Sequence, residues 1–171
     1  ARSDGYSLHL LDGKLHVNLV KRWLDDSIRV ETTATVPSDQ WTHVTVTYDG
    51  SRVADGIKVY FNGEPQTFEV HLDALNQSFE SSEPLRIGAG AGPEGRFFGR
   101  IDDVRIYDDL LKPHEAKLLA TADPLAAISA TAALNRSPAQ EAKLRSYFLA
   151  RHAPDAIQAA WQKVVTLRED K

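Results

Sequence analysis

The side chains of this chain best suited to chemistry at a surface cluster in Arg22-Trp23-Leu24-Asp25-Asp26. An indole ring flanked by a guanidinium and carboxylates can stack on the apolar face of a pyranose while the charged groups hold its hydroxyls. Trp23, Arg22 and Asp25 are therefore the leading ligand-contact candidates, followed by Tyr60 and Arg105 on strand positions expected to face outward. Packing against a helix would bury Trp23 equally well, so its exposure discriminates between a contact and a core residue. Trp41, at a strand start, and Trp161, on the core face of a helix, read as structural.

Other chemistries find less support. The six histidines, His9, His16, His43, His71, His114 and His152, form no i, i+4 helical pair and no zinc motif, and each reads as a surface or sheet-face residue. No serine sits in a Gly-x-Ser-x-Gly turn. The run from Gly88 to Gly95 lacks the Lys-Ser/Thr ending of a phosphate loop and leads into a strand, so it reads as an inter-strand loop. Without cysteine there is no disulfide, thiolate nucleophile, Cys-ligated zinc or covalent c-type haem.

These residues need a scaffold. A chain of 171 residues that is 42% hydrophobic can build a real core. Its formal net charge of -4, with both signs interspersed, argues against nucleic acid or an anionic membrane as partner. No apolar run reaches the ~20 residues of a membrane span. A start at Ala1-Arg2-Ser3 and the absence of methionine read as a processed or excised segment.

Up to about Asp108 apolar residues alternate or run in short β-branched groups between turn signals, the mark of an antiparallel β domain. Tyr6–Leu11 and Leu15–Leu19 flank Asp12-Gly13 as one hairpin; Ile57, Val59 and Phe61 run into Asn62-Gly63 as another. Trp41–Tyr48 reads as a strand with Val44, Val46 and Tyr48 on the core face and His43, Thr45 and Thr47 opposite. Leu85–Gly88 and Ile101–Tyr107 read as closing strands. From Lys112 the period becomes helical, with Pro113 and Pro124 at helix starts. Ser137-Pro138-Ala139-Gln140 forms a capping box for a helix to about His152, and a last helix follows Pro154. The expected domains are a β-sandwich over 1–121 and a helical tail over 122–171.

Four phrases, Trp41-Thr42-His43-Val44-Thr45-Val46-Thr47-Tyr48-Asp49-Gly50-Ser51, Val59-Tyr60-Phe61-Asn62-Gly63-Glu64, Leu85-Arg86-Ile87-Gly88 and Phe98-Gly99-Arg100-Ile101-Asp102-Asp103-Val104-Arg105-Ile106-Tyr107-Asp108, closely resemble the signature strands of laminin-G-like jelly-roll domains of the concanavalin A-like lectin/glucanase superfamily. The finer likeness is to the version found in large planctomycete-type proteins with cytochrome-c-like and uncharacterised domains, where a helical segment similar to Ser137–Leu149 follows the sandwich.

The resemblance implies a mainly β antiparallel sandwich with a C-terminal α-helical tail, acting as a non-catalytic binding module of a larger exported protein outside the cytoplasm. Its partners would be a carbohydrate or protein surface, or neighbouring domains of the parent. Relatives have strands ahead of the segment equivalent to Gly5–Leu8, so the resemblance implies a sheet edge covered either by a partner chain, a second copy included, or, in an incomplete sandwich, by the helical tail. Some relatives hold calcium through an Asp of the last signature strand, a role open here to Asp102 or Asp103; no other cofactor is implied. Glucanases of this fold carry acids near Glu-x-Asp-x-x-Glu on one strand, a run this chain lacks, and adjacent Asp102 and Asp103 on a strand would face apart. The alternatives are a structural spacer that docks neighbouring domains and, behind it, a polysaccharide hydrolase or lyase.

Overall fold

The computed structural model describes residues 4–90, 96–121 and 123–169; Ala1-Arg2-Ser3 and the second half of the Gly88–Gly95 loop lie outside the described residues. Among the described residues seven strands are followed by four α-helices. Strands β1 (Gly5–Leu11), β2 (Lys14–Arg22), β3 (Asp26–Thr35) and β7 (Phe68–Asp73) form an antiparallel sheet in the order β1-β2-β3-β7. A second sheet has the order β4 (Val44–Tyr48), β5 (Ile57–Phe61) and β6 (Glu64–Gln66). This mainly β arrangement with trailing helices is the expected architecture. The chain divides into two compact units: one contains the four-stranded sheet, and the other contains the helices with His43–Thr45 and Tyr60–Pro65.

Two tight turns set the registers. Asp12 (φ 51°) and Gly13 (φ 79°) take the left-handed conformations of a type I′ turn, which locks Leu11 opposite Lys14 and hence His9 opposite His16. Asn62 (φ 51°) and Gly63 (φ 80°) do the same between β5 and β6. With the β2–β3 pairing, the period of two puts Leu15, Val17, Leu19, Ile28 and Val30 into the core of the four-stranded sheet, while His9, His16 and Glu31 share its other face.

A buried carboxylate ties the end of this sheet to the chain beyond it. Asp26 opens β3 at only 1% exposure, and its Oδ1 accepts hydrogen bonds from the backbone N–H of Asn76 (2.7 Å) and Gln77 (3.3 Å), just after β7.

Several expectations are corrected. On β4 the more buried face carries Thr45 and Thr47, whereas Val44, Val46 and Tyr48 are half-buried. A valine face is buried only when a further layer covers it. The closing strands expected at 85–88 and 101–107 do not form. Among the described residues between β7 and the first helix, pairing is limited to an isolated bridge between Ala89 and Arg96. Large apolar side chains of this stretch are consequently exposed, Phe98 at 93% and Ile106 at 65%. An extended segment becomes a strand only when another strand satisfies its N–H and C=O groups, and among the described residues no strand pairs with these. Strands β3 and β7 were not anticipated.

The helices follow their local signals closely. They are α1 (Pro113–Leu119), α2 (Leu125–Ala130), α3 (Pro138–Arg151) and α4 (Asp155–Glu169). Ser137 Oγ accepts from Gln140 N (3.2 Å) and Gln140 Oε1 accepts from Ser137 N (2.8 Å), completing the capping box. Gln140 also donates to Asp123 Oδ2 (2.6 Å), and that bond, followed by one from Thr121, holds the Asp123 carboxyl below the usual carboxylate range. The β5–β6 turn lies against α1: a Cβ on Gly63 would stand 2.8 Å from Lys117 Cα, and Lys117 Nζ bonds Glu64 Oε1 at 2.7 Å.

Three outcomes follow. Asp26→Ala strips two N–H groups of their acceptor and should cost about 1–3 kcal/mol in urea unfolding, with Asp26→Asn, which keeps an acceptor oxygen, losing less. Gly63→Ala, with left-handed backbone and a clash at Lys117, should cost at least about 1–2 kcal/mol. Because the folded pKa of Asp123 is lowered, its contribution is present above the ordinary value of 3.8 and is lost as pH falls through the folded value. Asp123→Asn should therefore remove part of the acid dependence of helix melting followed by far-UV circular dichroism.

Candidate functional site

The turn between β2 and β3 gathers three of the sequence candidates. Arg22 ends β2, and Trp23, Leu24 and Asp25 form the turn. Arg22 Nε donates to Asp25 Oδ1 at 2.9 Å, and this bond, with the carboxylate charge, holds the guanidinium above its ordinary range. Trp23 is 44% exposed, the state required of a contact residue. From β3 the Arg29 guanidinium sits 4.6 Å from the Trp23 ring centroid, a cation–π contact that supports one side of the indole. Ser27 Oγ donates to the Trp23 carbonyl at 3.4 Å. The turn thus presents a braced aromatic plate beside a charged donor and acceptor.

Tyr60 and Arg105 do not join it. Tyr60, expected to face outward, is buried at 4% exposure because it lies on β5, the middle strand of its sheet, and burial pushes its phenol up. Arg105 is exposed and grips Asp103 with two bonds, Nε to Oδ1 at 2.7 Å and Nη2 to Oδ2 at 2.8 Å; Tyr107 and then Asp103 hold the guanidinium above its ordinary range. Asp103 has a left-handed backbone (φ 51°), so the strand alternation invoked for Asp102 and Asp103 does not apply. Asp102 Oδ1 accepts from Asp103 N at 2.8 Å. A cation at Asp103 would have to compete with the Arg105 fork for both carboxylate oxygens.

One cluster escaped the sequence reading. On the polar face of the four-stranded sheet, Glu31 of β3 lies beside His16 of β2 and His71 of β7, with Oε2 3.5 Å from His16 Nε2 and 3.0 Å from His71 Nε2. Lys14 Nζ takes the other oxygen, Oε1. The Lys14 bond first, then His71, holds the Glu31 carboxyl below its ordinary range. His9 stacks on His16 with centroids 4.9 Å apart, and His16 stacks on His71 at 6.2 Å. The pairing of His9 with His16 was available from the Asp12-Gly13 turn. The rest required β3 and β7, where Arg29 pairs with Leu72 and Val30 with Val70, leaving His71 as the extra residue of a bulge.

Among the helices, α1, α3 and α4 enclose a cleft of about 400 Å³ lined by Leu118, Leu149 and Trp161 with His114, Lys117 and Arg145. It is not on a sheet face.

A family model for laminin-G-like domains, described as concanavalin A-like lectin/glucanases superfamily, matches residues 1–117. The chain belongs to this family. Comparison with curated proteins and with solved structures gave no match. The family is one of binding modules in general, with some glycosidases among its members. Among the described residues no helix is long and apolar enough to cross a membrane.

Proposed function

We propose that the chain is a non-catalytic carbohydrate-binding module of a larger exported protein, with the β2–β3 turn as its contact surface. The observation that carries this reading is the 44% exposure of Trp23, supported on one side by Arg29 and flanked by the Arg22–Asp25 pair. An indole fixed in this way offers a π surface to the C–H face of a sugar ring at little entropic cost, while Arg22 and Asp25 supply a donor and an acceptor for hydroxyls. Arg105 lies outside this turn, and Tyr60 is buried, so neither belongs to the surface.

A second reading, protein docking between neighbouring domains, draws on a separate observation. Tyr6, Leu8, Leu10 and Leu11 are exposed on the terminal strand β1, and Phe98, Ile101, Val104 and Ile106 are exposed beyond β7. Apolar surface on an edge strand favours a partner that adds a strand or covers the face, including a second copy of the chain.

The two readings separate in a glycan-array screen of the tag-free chain, run with calcium and with chelator. Saturable binding that falls by at least about tenfold in Trp23→Ala, as loss of a stacking aromatic worth ~1.5 kcal/mol implies, with Tyr60→Phe unchanged, supports the module. Loss of binding in chelator would add a calcium site such as Asp102 or Asp103. No binding by folded protein, together with concentration-dependent self-association in sedimentation, would favour docking.

A further inference from the structure

We infer that His16, Glu31 and His71 form a binding site for a divalent transition metal of the zinc class on the polar face of the four-stranded sheet. The three side chains come from three different strands, so the sheet places them and no local sequence motif announces them. Their ligand atoms all lie within 4.8 Å of one another. Two imidazoles and a carboxylate are a donor set that suits zinc, with ligand bonds of about 2.0–2.2 Å. A tetrahedron of that size has edges of roughly 3.3–3.5 Å. The two edges from Glu31 Oε2 are 3.0 Å to His71 Nε2 and 3.5 Å to His16 Nε2. The remaining edge, between the two imidazoles, is no longer than 4.8 Å, and the half-exposed His71 is the side chain that would have to turn to shorten it.

The surroundings favour a built site over a chance meeting of surface side chains. Glu31 is only 16% exposed and His16 only 13%, so both are held by packing. Lys14 occupies Oε1 and turns Oε2 toward the imidazoles, the orienting role that a group bonded to a ligating carboxylate performs. His9 stacks on His16 with ring planes 12° apart and limits its rotation. The His71 bulge brings a side chain from β7 alongside Glu31, although Glu69 is the residue paired with Glu31 in the ladder. Three protein ligands leave a position open for water or for an oxygen donor from a ligand. Calcium does not fit, since it calls for six to eight oxygen donors and two of these three ligands are nitrogens.

The test is titration of the full, tag-free chain with zinc chloride by calorimetry, and with cobalt chloride by visible absorption. The expected result is one saturable zinc site per chain, with cobalt giving the absorption of an imidazole-ligated low-coordinate ion. Affinity should fall by more than about tenfold in each of His16→Ala, His71→Ala and Glu31→Gln, since even groups behind the ligands are worth that much. His9→Ala, which removes a stacking partner and no ligand, should lose less than any of these. Glu31→Gln nearly preserves shape, and zinc-free circular dichroism of each variant separates lost binding from lost folding. Absence of a saturable site in the wild-type chain, or zinc binding that survives the three ligand substitutions in folded protein, would overturn the inference.

Discussion

A strand holds its place when partners satisfy its backbone N–H and C=O groups, and the four-stranded sheet is arranged around the two strands that are paired on both sides. β2 pairs with β1 and β3, and β3 pairs with β2 and β7. Their alternate residues, among them Val17, Ile28 and Val30, are 1% exposed or less. A slip of one residue would exchange that apolar face with the one carrying His9, His16 and Glu31, so burial of the first enforces the array on the second. Asp26 adds a fixed point at the start of β3 by accepting from the two N–H groups beyond β7. The Trp23 turn projects from the same place, since Asp26 directly follows it. Core, polar array and aromatic plate therefore share one set of pairings.

What could be read from sequence was what short-range chemistry determines. Asp12-Gly13 and Asn62-Gly63 specify turns whose φ values only a few residue types accept, and both hairpins formed. Pro113 and the Ser137–Gln140 box marked helix starts for the same reason. β3 was less visible because Arg29, Glu31 and a threonine-rich end dilute its alternation, and its identity as a strand depends on neighbours distant in sequence. Leu85–Gly88 and Ile101–Tyr107 are the converse: their composition suits strands, yet without partners they do not enter a sheet. Asp26 illustrates the same limit at one residue, for a carboxylate after a turn looks solvated until the chain 50 residues later supplies its donors.

The candidate contact residues divide along the same line. Arg22, Trp23 and Asp25 are adjacent in sequence, so their meeting at one turn needed no long-range information. Placing Tyr60 required knowing that its strand is the middle one of its sheet. The His16–Glu31–His71 cluster needed two strand registers and a bulge at once, which no spacing rule contains. Membership of the laminin-G-like family supplies the sandwich and a general role in binding, but a fold of this kind carries many functions, and the choice among them lies in side chains.

The same side chains bear on the hydrolase alternative. Glycoside hydrolysis by a carboxyl pair requires one acid kept protonated, usually by an apolar surrounding, and a second kept ionised at a fixed separation. Asp25, Asp103 and Glu31 each face a cation instead: Arg22, Arg105 and Lys14. For Glu31 the Lys14 bond holds the carboxyl below its ordinary range, which is unsuited to donating a proton to a leaving group. Asp26 is buried, and its Oδ1 is taken by the N–H groups of Asn76 and Gln77. The acids that the sheet and its turns position are thus engaged in ion pairs and hydrogen bonds within the fold.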